Sequence, residues 1–225
     1  MFNLLGEDEQ NQIENNLISE HSMLFRNYFD SEDELNNFIC RNLAHSKDNI
    51  QRRTINNVQR LVTLADELTT VKPGKWDLAI FFYLSCIESI YGLNGSQLKK
   101  QEMVIDFFEK YVSTADQDLI RNGIMIAGER IPLDYKITME RFSLLLVSVR
   151  NLVTHEGIYW NLQFIHEEAE ERTPIMQSFL AKPDKNSPPC KVLFTTTIKF
   201  SELRDAFIRG YIHFINEHES INALS

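Results

Sequence analysis

Ile137-Thr138-Met139-Glu140-Arg141-Phe142-Ser143-Leu144-Leu145-Leu146-Val147-Ser148-Val149-Arg150-Asn151-Leu152-Val153-Thr154-His155 is the stretch on which the reading of this chain turns. Met139, Phe142, Leu145, Leu146, Val149 and Val153 recur at spacings of three and four, so a helix of 3.6 residues per turn puts them on one face. The pattern predicts one long helix over residues 137–155. Gly157 follows and is free to take the left-handed conformation that ends helices. An apolar helix therefore finishes on a polar group, Arg150, Asn151 and His155.

The upstream sequence supplies partners for that helix. Residues 76–91 are apolar nearly all round and predict a buried central helix, with Glu88 inside it and the loop 92–96 ending it. Residues 97–112 read as a further helix, 115–127 as a shorter one and 128–132 as a loop. Val71-Lys72-Pro73-Gly74-Lys75 is a break that sets apart an N-terminal portion. That portion holds a partial helical stripe over 10–27 and a helix opened by Ser31, with Glu34 three residues on. It closes with an amphipathic helix over 50–69.

After Gly157 the character changes. Residues 159–166 and 191–200 suit strands of one hairpin. Between them lie Glu167, Glu168, Glu170 and Glu171, then an exposed loop rich in Lys, Pro and Ser over 182–189. A last helix runs from Ser201 to about Glu217. The expected fold is mainly α, an up-and-down helical bundle with an N-terminal helical extension and a short C-terminal β-hairpin plus helix. The expected parts are residues 1–72, 73–157 and 158–225.

Composition narrows the class. With 225 residues, 43% apolar and 24% charged, the chain is long enough to bury roughly 70% of its unfolded surface. Fifteen Phe, seven Tyr and two Trp supply large apolar groups. The net charge of −9 argues against broad coating of nucleic acid, which needs an extended basic surface. It leaves room for a small basic pocket, and it suits a basic partner. Cys40, Cys86 and Cys190 are odd in number and far apart, which predicts reduced thiols in a cytoplasmic protein rather than a disulfide framework or a zinc site. The start of the chain has no basic, apolar leader pattern, and no apolar run approaches the roughly 20 residues of a membrane span, so no membrane association is expected.

Arg150-Asn151-Leu152-Val153-Thr154-His155 at the end of an apolar helix resembles the R-N-x-x-x-H signature of the HEPN superfamily, the nucleotide-binding helical domain of higher eukaryotes and prokaryotes. The helix around Glu88 is similar to an earlier helix of that family, which carries an acidic residue in an apolar run. The likeness covers roughly residues 76–157. It implies an endoribonuclease that needs no metal and no cofactor and leaves a 2′,3′-cyclic phosphate, either a toxin or a defence component. It also implies a homodimer in which two copies of the motif meet, with RNA as substrate and an antitoxin or another protein as further partner.

In this reading Arg150 and His155 are the catalytic residues. Histidine titrates near neutral pH and can move protons; arginine stays charged and grips phosphate through two donors. Asn151 and Glu88 bind substrate or orient the pair. The offset of five residues turns Arg150 and His155 about 140° apart on an ideal helix, so fraying or tightening of the last turn is needed to bring the ring beside the guanidinium. The plainer reading is a helix end decorated with cations that favour its dipole. The alternative function is a catalytically inactive module of the same fold that binds a nucleotide or a protein. Arg41 and His45 form a shorter look-alike in a more polar helix and read as a solvated helix end, and His213 and His218 read as surface histidines.

Overall fold

Apolar stripes interrupted by capping residues divide the chain into eight α-helices and three strands in a computed structural model, which describes residues 7–44, 46, 49–127, 136–181 and 190–222. The N-terminal portion holds α1 (Glu7–Phe25), a single 3-10 turn at Arg26–Tyr28, α2 (Glu32–Leu43) and α3 (Ile50–Val71). The middle holds α4 (Trp76–Leu93), α5 (Lys100–Lys110), α6 (Thr114–Gly123), β1 (Ile124–Ala127) and α7 (Met139–Glu156). The chain continues through β2 (Ile175–Ala181), β3 (Cys190–Thr196) and α8 (Phe200–Asn222). The sequence readings at 1–6, His45, 128–132 and 182–189 fall outside the described residues.

The helix starts are chemically legible. The hydroxyls of Ser31, Ser113 and Thr138 accept from the N–H three residues on, and the Asn49 side chain accepts from Gln51 and Arg52. Each satisfies a backbone donor that the first turn leaves without a partner. The long helix begins at Met139 because Thr138 caps it, and it stays helical through Glu156.

One hydrophobic core runs through all three portions of the chain, from Leu24 to Ile215. The apolar α4 lies within it, bordered by α3, α5 and α7. By length and composition α4 could also cross a bilayer, but Tyr83, Leu84, Cys86, Ile87 and Ile90 are buried against its neighbours. Aromatic rings fill the centre. Phe108 meets Phe142 of α7 at 5.1 Å and Phe207 of α8 at 5.2 Å, and Phe107 meets Tyr211 at 5.1 Å. The last helix is thus part of the core, and its Tyr211 hydroxyl donates to the Tyr83 carbonyl at 2.6 Å.

Half-buried charge pairs fasten the outer elements to this frame. Arg204 grips both carboxylate oxygens of Asp66, at 2.8 and 2.7 Å, and donates to the Tyr28 hydroxyl at 2.9 Å. Arg209 of α8 does the same to Asp116 of α6, at 2.9 and 2.6 Å. Planar guanidinium forks suit such two-point contacts.

The strands form an antiparallel sheet in the order β1-β3-β2. The sheet departs from the sequence reading in two places. The helix expected over 115–127 stops at Gly123, and Ile124–Ala127 pair with Leu193–Thr196 instead. Gly123 sits where the Ile198 side chain comes so close that a Cβ would stand 2.1 Å from it. The first strand of the hairpin is Ile175–Ala181, in the stretch between the two expected strands, and not 159–166. Among the described residues, 159–166 form no strand and make one isolated bridge, Ile165 with Lys199. Three of their N–H groups go to side chains: Asn161 and Leu162 donate to Asp77, and Gln163 donates to Gln177, while the Ile165 N–H donates to the Ile198 carbonyl.

Candidate functional site

Two contacts fix how α7 lies on α4. Arg150 meets Glu88 near the end of α4, and Asn161 and Leu162 meet Asp77 at its start, so the chain from α7 onward runs antiparallel along α4. The site is the region where α7 passes Glu88.

Arg150 and Glu88 form an ion pair through Arg150 Nη2 and Glu88 Oε1, with side chains only 14% and 17% exposed. Burial makes such a pair hold firmly, since either charge alone would be costly there. The other Glu88 oxygen, Oε2, lies 3.2 Å from Lys100 Nζ, at the start of α5. One carboxylate thus serves two cations from two different helices. Lys100 is 71% exposed, so its side of the cluster is open to solvent.

Asn151 and His155 point elsewhere. Both are exposed, and helix geometry turns them about 100° and 140° from Arg150. They continue a stripe of α7 made by Arg141, Leu144 and Ser148, none of which is buried. This face lies opposite the side that packs on α4 and α5. His155 has no hydrogen bond or ion pair among the described residues. The last turn does not fray: Gly157 adopts φ 66°, and its N–H and that of Ile158 both donate to the Leu152 carbonyl. Within one chain the structure brings Arg150 to Glu88 and leaves His155 and Asn151 exposed on a separate face. The last turn stays regular, and five residues of helical rise set the Arg150 and His155 Cα atoms about 7.5 Å apart along the axis.

The other sequence candidates fall as follows. Arg41 donates to Asn216 of α8 at 2.9 Å. His218 stacks on Phe214 at 4.0 Å, and His213 lies 3.1 Å from the Tyr111 carbonyl. Among the described residues no three His, Cys, Asp or Glu side chains stand together in a way that could hold a metal ion.

Two residues near the site escaped sequence reading. Lys100 gave no signal beyond being a cation at a helix start. Asp77 is fully buried and accepts from the Asn161 and Leu162 N–H groups at 2.9 Å each. Burial pushes its carboxyl above the ordinary carboxylate value, while those two N–H groups and Lys75 pull the other way. It pins the segment that leaves α7. Cys86, also in α4, is fully buried and its thiol is pushed far up by burial, which makes it unreactive.

No family model, no curated protein and no solved structure matches this chain.

Proposed function

We propose that this chain is an endoribonuclease of the HEPN kind, acting without a metal through Arg150 and His155 in a site that two copies complete. The observation that carries the reading is the division of the motif across α7. Arg150 is held from within by Glu88, while Asn151 and His155 are exposed on another face of the helix. A second copy laid against that face would bring two histidines and two arginines to one cleft.

The chemistry asks for such a pair. The 2′-oxygen attacks phosphorus, the 2′-O–P bond forms and the P–5′-O bond breaks. One histidine takes the 2′-proton and the other protonates the leaving 5′-oxygen, as general base and general acid. Arg150 keeps N–H donors beyond the one given to Glu88, and these can stabilise charge growing on the phosphate. The product is a 2′,3′-cyclic phosphate. Glu88 is a positioning residue here, because it meets Arg150 and not the RNA.

The test is digestion of single-stranded RNA in excess EDTA. Wild type should cut, and Arg150→Ala and His155→Ala should each lose about 10²-fold or more in rate. Undiminished cleavage in both variants would remove the site assignment.

The engagement of Arg150 by Glu88, with the chain's charge of −9, supports a second reading: a non-catalytic module that binds a nucleotide or a protein. Expression in a host separates the two. Growth arrest that needs His155 speaks for a toxin or defence nuclease; unhindered growth with no cleavage by a stable dimer speaks for the module.

A further inference from the structure

Glu88, Arg150 and Lys100 carry one negative and two positive charges in one cluster. The imbalance is local, in a chain whose net charge is −9. Two carboxylates of α5 make contacts outside the cluster. Glu102 accepts from the Lys99 N–H at 2.9 Å, closing the start of α5. Asp106 takes Lys110 at 2.6 Å and the Tyr91 hydroxyl at 2.7 Å. Two like charges on one carboxylate repel each other, and the group that balances them is an anion.

The two cations differ in how tightly Glu88 holds them. Arg150 is mostly buried and fixed. Lys100 is 71% exposed and 3.2 Å away, and an ion pair that open gives little stability, so an incoming oxyanion can compete for the ammonium. Lysine acts there as a mobile point charge on a long stem, and arginine as the fixed fork. We propose that Lys100, beside the Glu88-held Arg150, binds a phosphate group of the nucleic-acid ligand at the open edge of the α4–α5–α7 junction. This deepens the nuclease reading and rests on it for the identity of the ligand. Lys100 binds the ligand and takes no proton in the cleavage step.

Binding separates this claim from catalysis. The full chain is titrated with a 2′-O-methyl oligoribonucleotide, which cannot be cleaved, and in parallel with adenosine monophosphate, across a salt series. Lys100→Gln should bind the oligonucleotide about tenfold more weakly than wild type. Its slope of log affinity against log salt should fall by roughly 0.7, the loss of one phosphate contact on a single strand. Lys100→Arg should restore most of the affinity. Equal affinity and slope in wild type and Lys100→Gln would overturn the proposal, as would absence of binding to either ligand by wild type. Lys100-dependent binding of the mononucleotide alone would keep the phosphate site and assign it to a free nucleotide. Cleavage of unmodified RNA is scored separately, so a chain that binds through Lys100 without cutting refutes the nuclease reading and leaves this one standing.

Discussion

At the scale of single residues, α4 carries two carboxylates that do different work. Glu88 lies between two cations, whereas Asp77 accepts from backbone N–H groups and is fully buried. Burial raises the Asp77 pKa above its ordinary value of 3.8. The native chain therefore binds this proton more readily than the unfolded chain. The stability contributed by the raised pKa is complete below the unfolded value and is lost as pH rises through the native one. Asp77→Asn removes that dependence and puts an amide donor against one of the two N–H groups, at a cost of about 1–3 kcal/mol. Thermal unfolding of both proteins should show a gap that narrows as pH climbs from about 4. Parallel curves across that range would refute the assignment. Glu88 was legible in the sequence because a carboxylate in an apolar helix needs a partner. Asp77 was not, since its partners are backbone N–H groups some 84 residues away, which leave no mark in composition.

At the scale of elements, the helices and the C-terminal hairpin with its strand near 191–200 were readable, while the partners β1 and β2 were not. The period-3.6 stripes and the caps Ser31 and Thr138 are local signals, so α2 and α7 follow from their own residues. A strand is held by its neighbour across the sheet. Ile124 and Ile126 look like the end of a helix until β3 is there to pair with them. Residues 159–166 have the right residue types for a strand, yet Asp77 and Gln177 occupy the N–H groups of Asn161, Leu162 and Gln163. Close packing of α8 on α5 was likewise invisible. A Cβ on Gly210 would stand 2.7 Å from the Phe107 ring, which is wedged among Phe108, Tyr111, Phe207 and Tyr211. Gly210→Ala should destabilise the fold by about 1–2 kcal/mol, the overpacking outweighing the gain in helix propensity. Gly92→Ala, in the last turn of α4 with open space around it, should be neutral or slightly stabilising. Urea midpoints decide this; a stabilised Gly210→Ala would mean that the helices sit further apart.

At the scale of the whole molecule, the expected three parts share one core, and the motif belongs to a helix whose two sides do different things. The inner side builds the bundle and fixes Arg150 against Glu88. The outer side, with Ser148, Asn151 and His155, is where the account places a second copy. The sequence located the polar end of this helix, but only the regularity of α7 through Glu156 separates its two faces. The claim that two chains make the site is tested most directly with Ser148→Arg, which sets a long charged side chain on the outer face without touching Arg150 or His155. The specific rate of RNA cleavage in EDTA is measured together with the mass in solution. The expected result is a folded monomer that has lost cleavage, beside a wild-type dimer that cuts. A Ser148→Arg monomer that cleaves RNA at the wild-type rate would contradict it.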